Sequence, residues 1–247
     1  MAQAATTPEM PLRVVAAADE VTLYVYDVID PWYGVAAEPF AKALQDAAGK
    51  PVHVRVNSPG GDVFEGRAMA TALRTYAGPT RVTVEGLAAS AASYLAMSAK
   101  KVAIADGAFF MIHNAWSVGW GNKADLRQLA DVLEQIDGAL ARDYAARMGK
   151  KAEEVAALLD AETWFGAQEA VDNGLADELI AGFEDSTRRA FDLSGVFDRA
   201  PAALLAAPRQ EAPRTAPADD EERRRLLQLV ARGAFITSPN MATRTAP

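Results

Sequence analysis

The chain has 247 residues, of which half are apolar and 23% are charged, and its formal net charge is −8. This length accommodates one α/β domain of roughly 180 residues with tails. The acidic balance argues against nucleic acid as a partner. Because the sequence contains no cysteine, a disulfide framework, a zinc–thiolate site and a cysteine nucleophile are excluded.

The sequence carries neither of the common membrane signals. Its first ten residues lack the basic start and the apolar stretch of a signal peptide. No run of about 18 apolar residues appears, so no transmembrane helix is expected. We therefore expect a cytoplasmic protein with no membrane partner.

Three regions are expected along the chain. Residues 1–19 are rich in Ala and Pro and are predicted to be flexible. Residues 20–182 alternate between strand-like and helix-like patterns, which predicts a parallel sheet with right-handed crossovers. Residues 183–247 are predicted to be a low-complexity linker and tail that could form one short helix near 220–232.

Hydrophobic periodicity places the elements of the central region. The strands are predicted at 21–29, from 52 to the turn at Gly60-Gly61, 81–85, 101–105 and 109–113, and the helices at 36–48, 64–76, 91–99, 124–148, 150–159 and 169–173.

A candidate nucleophile lies between a β-branched strand and a helix of small residues. Residues 86–92 are Gly-Leu-Ala-Ala-Ser-Ala-Ala, and strand, sharp turn, Ser, helix is the geometry of a nucleophile elbow. The free N–H groups of the first helical turn lie beside that hydroxyl. Ser90 is therefore the candidate nucleophile, with Ser93 as the fallback, although small residues before a helix more often reflect tight packing alone.

Two further segments supply what a serine nucleophile needs. Residues 52–62 alternate like a strand and reach Gly60-Gly61, where the backbone can approach a ligand closely and offer an oxyanion donor. The apolar strand 109–113 ends at His113, the candidate general base. The other histidine, His53, lies inside a strand and is expected to be structural.

Four blocks of sequence together resemble the ClpP serine peptidases. They are Asn-Ser-Pro-Gly-Gly at 57–61, Gly-Leu-Ala-Ala-Ser at 86–90, Met-Ile-His at 111–113 and Glu-Ala-Val-Asp-Asn-Gly-Leu-Ala-Asp at 169–177, in the order and near the spacing of that family. The Glu-Thr-Trp-Phe stretch at 162–165 is similar to the ClpP-like peptidases of tailed phages and prophages, which mature capsids. The resemblance implies an α/β, crotonase-type fold of stacked ββα units. It also implies a protruding handle made of residues 115–121 and 124–148.

The resemblance also implies the remaining site residues. The backbone N–H groups of Gly61 and Ala91 would form the oxyanion hole. The family's triad acid is an Asp just before the last block; ungapped alignment places Glu162 there, with Asp160 as the alternative acid. No cofactor and no metal are expected, because the two histidines lie in different segments and no carboxylate has metal-ligand spacing.

The expected function is that of a serine endopeptidase of the S14 type, working as a heptameric ring or paired rings. Its expected substrate is a capsid or scaffold protein, in a host cytoplasm or viral procapsid, and the use of an ATPase unfoldase is left open. Three alternatives remain: a crotonase-type acyl-CoA hydrolase or hydratase, a Ser/Lys signal-peptide peptidase using Lys100 or Lys101, and a non-catalytic ring scaffold.

Overall fold

The computed structural model describes residues 12–181, 191, 193 and 196–205. The strands are β1 Arg13–Ala16, β2 Val21–Val25, β3 Val52–Ser58, β4 Thr80–Ala89, β5 Lys101–Ala105, β6 Phe109–Ile112, β7 Thr163–Gly166 and β8 Glu178–Ile180. The helices are α1 Ala37–Ala47, α2 Val63–Thr75, α3 Ala91–Ala96, α4 Lys123–Met148, α5 Ala152–Asp160, α6 Ala167–Asp172 and α7 Ala202–Leu205. The mixed α/β class predicted from the sequence is confirmed.

The described strands form one mixed sheet in the order β1-β2-β3-β4-β5-β8. Strands β2, β3, β4, β5 and β8 are parallel, and β1 pairs antiparallel with β2 at the edge. Strand β4 forks: its residues 81–84 pair with β5, whereas its residues 87–89 pair in parallel with β6. Strand β6 pairs antiparallel with β7.

The fork decides where the candidate site lies. In the register of β4 and β6, Ala89 lies opposite Met111. Ser90 and His113 therefore follow the C-terminal ends of two neighbouring parallel strands. The N–H of Ser90 donates to the carbonyl of Met111 at 2.9 Å and holds the two strand ends together.

The core follows from alternation in the strands and helical spacing in the covering helices. In β3, Val52, Val54 and Val56 are buried, as expected for a strand with one face on a core. Helix α1 buries Phe40 and Leu44 in the same hydrophobic cluster as these valines. Full burial of each such side chain stabilises the fold by about 1.5–3 kcal/mol.

Several sequence predictions need correction. The first strand ends at Val25 rather than at residue 29, because Ile29 instead forms isolated bridges with Val35 and Gly61, and strand β7 was not predicted. Strand β4 continues to Ala89 rather than ending at Glu85, because its last residues pair with β6. Residues 13–16 of the segment predicted to be flexible form β1. Beyond residue 182, Leu193 and Phe197 are buried against β4 and β6, so this part of the tail packs on the domain. The helix predicted near 220–232 lies outside the described residues.

Helix α4 divides into a buried and an exposed half. It begins with a capping box in which the Asn122 side chain accepts from the backbone N–H of Ala124 and Asp125. Its second half packs on the core through residues such as Leu140 and Tyr144, whereas Leu126 in its first half is 46% exposed. The resemblance implied a handle of residues 115–121 and 124–148; the second half of that helix is buried on the core, so the name handle is kept below for residues 115–121 and the exposed first half of α4. No helix among the described residues is long and apolar enough to cross a membrane.

Candidate active site

Ser90 occupies the sharp turn between β4 and α3. Its backbone has φ 53° and ψ −125°, a sparsely populated conformation that is often found at functional sites. The carbonyl of Ser90 accepts hydrogen bonds from the N–H of Ser93 at 2.9 Å and of Tyr94 at 3.2 Å. These contacts fix the backbone, so the predicted elbow geometry is present at Ser90.

The His113 imidazole contacts the Ser90 hydroxyl directly. Nε2 of His113 lies 2.8 Å from Oγ of Ser90, within hydrogen-bonding distance. Burial lowers the pKa of His113 to about 4, against an opposing effect from the negative charge of Glu162. The imidazole is therefore neutral at pH 7, which is the state a general base requires.

The Gly60-Gly61 turn closes against the nucleophile. A Cβ on Gly60 would lie 2.8 Å from the Ser90 Cβ and 2.9 Å from the Ala91 nitrogen, and a Cβ on Gly61 would lie 2.1 Å from the Ile29 carbonyl oxygen. Both glycines have positive φ. The turn therefore requires glycine at both positions, and it lines one cavity together with Ser90, Ala91 and His113.

Two backbone donors in this cavity have no acceptor among the described residues. The neighbouring N–H groups of Gly60 and Asp62 donate to the Ser58 hydroxyl and the Ile29 carbonyl. Within the described part of the chain, no hydrogen bond engages the N–H of Gly61 or Ala91. These are the two groups predicted for the oxyanion hole.

The two candidate acids occupy different environments. The charge of Glu162 raises the pKa of His113, and its Oε1 accepts from Trp164 Nε1 at 3.1 Å. Asp160 instead accepts from the Asn114 side chain at 2.6 Å. Among the described residues neither carboxylate is hydrogen-bonded to the imidazole. The electrostatic contact nevertheless favours Glu162 as the partner of His113.

The structure adds one residue that sequence reasoning missed. Phe197 lines the cavity with Ser90, and its ring stands edge-on to His113 at a centroid distance of 5.7 Å. It falls in the region predicted to be a linker. The available signal was the apolar group Phe191, Leu193, Val196 and Phe197, which precedes the stretch rich in Ala and Pro at 200–219.

The remaining candidates lie away from the nucleophile. The Lys100 amine donates to the Gly78 carbonyl at 2.9 Å, and Lys101 pairs with Glu178 at 2.8 Å. Both contacts are at the end of the sheet where β4 begins, opposite Ser90, so neither lysine can form a Ser/Lys dyad with it. His53 contacts the Thr83 hydroxyl at 2.8 Å. Among the described residues, no group of three His, Cys, Asp or Glu could hold a metal ion.

The sequence profile of the family described as Clp protease matches residues 40–182. This chain belongs to the Clp protease family. It is 32% identical over 175 residues to the ATP-dependent Clp protease proteolytic subunit 1 of Protochlamydia amoebophila, covering 68% of this chain and 84% of that protein. It is 29% identical over 133 residues to the ATP-dependent Clp protease proteolytic subunit 3 of Rhodococcus jostii, and the match covers 53% of this chain and 65% of that protein.

A solved structure also shares the fold. A point mutant of ClpP1 from Listeria monocytogenes superposes with a TM-score of 0.58 and 22% identity, covering 65% of this chain and 91% of that chain. The family membership predicted from the four sequence blocks is confirmed. The chain is a serine-type endopeptidase of the Clp protease family.

Proposed function

We propose that this Clp-family peptidase cleaves polypeptides with Ser90 as nucleophile, His113 as general base and Glu162 as the acid that orients His113. The proposal is carried by the 2.8 Å contact between His113 Nε2 and Ser90 Oγ. As Oγ attacks the substrate carbonyl carbon, His113 takes the hydroxyl proton and then gives it to the leaving amine. Water, activated by the same imidazole, hydrolyses the acyl-enzyme.

The proposed oxyanion hole consists of the N–H groups of Gly61 and Ala91. The developing negative charge on the substrate oxygen would be stabilised by these two fixed dipoles, and loss of one such donor costs about 3–4 kcal/mol of transition-state stabilisation. The N–H of Ala91 at the start of α3, which has no acceptor within the described part of the chain, supports this role.

A fluorophosphonate probe tests the nucleophile. Wild-type protein should be labelled at Ser90, as located by peptide mass spectrometry, and the Ser90→Ala variant should remain unlabelled. Labelling at another serine, or none in a protein that hydrolyses peptides, would contradict the assignment.

The crotonase-type alternative makes a different use of the same cavity. An acyl-CoA hydrolase or hydratase needs the two N–H donors but not the Ser90–His113 pair, so its turnover would survive Ser90→Ala. A non-catalytic scaffold would show neither probe labelling nor turnover of either substrate class. Parallel assays with a peptide library and with acyl-CoA thioesters separate these functions from the peptidase.

The proposed assembly is a heptameric ring or a pair of rings joined through the handle. Three large apolar side chains of the handle are exposed: Trp120 by 83%, Leu126 by 46% and Val132 by 45%. Exposed large apolar side chains within one segment support its role as an interaction site. The relatives are named as subunits of ATP-dependent proteases, and a folded substrate degraded only with an added ATPase would assign an unfoldase partner here.

The proposed substrate is a capsid or scaffold protein. Support comes from the Glu-Thr-Trp-Phe stretch at 162–165, which resembles phage-type enzymes and whose Trp164 contacts Glu162. Co-expression with capsid and scaffold proteins encoded near this gene should yield cleaved products with wild type and none with Ser90→Ala. Intact capsid and scaffold proteins beside active enzyme would refute this substrate class.

A further inference from the structure

A segment after the peptidase domain closes one side of the candidate active site. This segment, residues 196–205, is called the strap below. Its Phe197 is buried, and the Phe197 ring stands edge-on to both His113 and Trp164, at centroid distances of 5.7 and 5.5 Å. Edge-to-face contacts of this kind fix ring orientation. The strap therefore contacts the general base directly.

The strap also binds the candidate acid through its backbone. The N–H of Asp198 donates to Oε2 of Glu162 at 3.0 Å, and the N–H of Arg199 donates to Oε1 at 2.8 Å. The Arg199 guanidinium donates to the Ala161 carbonyl at 2.6 Å, next to the same carboxylate. Both oxygens of Glu162 are thus held by the strap.

These contacts leave one acceptor site of the Glu162 carboxylate unfilled by the described residues. A carboxylate has about four acceptor sites, and three are filled by Trp164, Asp198 and Arg199. The backbone of Glu162 has φ 47°, a conformation that non-glycine residues keep only when the surroundings enforce it. The strap supplies part of that enforcement.

The strap is anchored on the strands that carry the nucleophile and the base. Phe197, together with Leu193, packs against Leu87 and Ala89 of β4 and against Met111 of β6. With the strap in place, the contact between His113 and Ser90 is intact.

On this basis we infer that the strap is a positioning element, which orients Glu162 and holds the His113 ring for catalysis. Phe197 is its positioning residue. This inference rests on the proposed Ser90–His113–Glu162 triad.

The test compares full-length Phe197→Ala with the matched control Phe191→Ala. Phe191 packs on the same cluster but does not line the cavity. We expect kcat for a fluorogenic peptide to fall by about 10- to 100-fold in Phe197→Ala, because misplacement of a catalytic group by about 1 Å has effects of this size. KM should change little, and Phe191→Ala should stay within about two-fold of wild type in kcat.

The variant Phe197→Leu keeps the test informative if Phe197→Ala does not fold, because leucine keeps apolar volume at this position but removes the ring contacts. If Phe197→Ala does not fold, a clear loss of kcat in folded Phe197→Leu supports positioning, and wild-type kcat in that variant overturns it. A rise in kcat in either variant would make the strap inhibitory, and a change in KM alone would make Phe197 a substrate contact. Absence of Ser90-dependent turnover in the wild type would instead refute the proposed function.

Discussion

The Cβ that Gly60 lacks would lie 2.8 Å from the Cβ of Ser90. The glycine turn after β3 and the elbow after β4 are therefore in contact, with no room for a side chain at position 60. This approach places the N–H of Gly61 in the same cavity as the Ser90 hydroxyl.

Substitution Gly60→Ala should abolish most activity and destabilise the fold. A methyl group would meet the Ala89 carbonyl oxygen at 2.5 Å, at a backbone φ of +88°. Gly49→Ala is the matched control, because Gly49 has φ +85° and nothing within 4 Å of its Cβ position. We expect Gly60→Ala to lose about 1–3 kcal/mol more unfolding free energy than Gly49→Ala, since overpacking adds that amount. Equal losses by denaturant unfolding would contradict the contact.

Substitution Ser90→Ala should lower kcat by about 10⁶-fold, as removal of a triad serine does elsewhere, with the fold preserved. Ser93→Ala is the control. Ser93 is fully buried and hydrogen-bonded to the Ser90 carbonyl at 2.7 Å and to the Tyr144 hydroxyl at 2.6 Å. It should lose stability but keep probe labelling, as measured by thermal unfolding and fluorophosphonate capture. Loss of labelling only in Ser93→Ala would transfer the nucleophile to Ser93.

The pH dependence of kcat/KM should reflect the neutral His113. Burial depresses the pKa of His113 from 6.5 to about 4, and the imidazole must be unprotonated to accept the Ser90 proton. Activity should therefore persist below pH 6.5 and fall as the pH approaches 4. In Glu162→Gln the negative charge that raises this pKa is removed, so the acidic limb should move to lower pH. A wild-type limb centred at 6.5 or above would contradict the buried, neutral imidazole.

The identity of the triad acid is tested by comparing the kinetics of Glu162→Gln with those of Asp160→Asn. If Glu162 orients the imidazole, Glu162→Gln should lower kcat by up to about 10⁴-fold, the size of the comparable change in a serine protease. Glu162→Asp should recover only part of the rate, because its side chain is one methylene shorter. Asp160→Asn should be nearly silent, since Asp160 contacts Asn114 rather than His113. Steady-state kinetics showing the reverse order would assign the acid to Asp160.

The handle should control assembly. Multi-angle light scattering of the wild type should give seven or fourteen times the chain mass of 26.3 kDa. Trp120→Ser combined with Leu126→Ser should shift this mass towards a single chain or a single ring, because both side chains are exposed in the isolated chain. Trp32→Ser is the control, as Trp32 is 69% exposed outside the handle. A wild-type monomer at micromolar concentration would refute the ring.

The sequence by itself determined the α/β class, most of the elements and the family. Local patterns sufficed for this: alternation predicted β2 and β3, and the turn chemistry of glycine next to a strand end predicted the segments that carry Gly61, Ser90 and His113. These are short-range properties, because backbone conformation and side-chain periodicity depend on neighbours in the chain.

The tertiary structure alone decided which groups meet. Pairing of the end of β4 with β6 sets the register that brings His113 to Ser90 across 23 positions. The tertiary structure also gives Glu162 and Asp160 different hydrogen-bond partners, and it places the Phe197 ring against His113. Such contacts depend on strand pairing and apolar burial between distant segments, and neither composition nor local periodicity encodes which distant surfaces will be buried together.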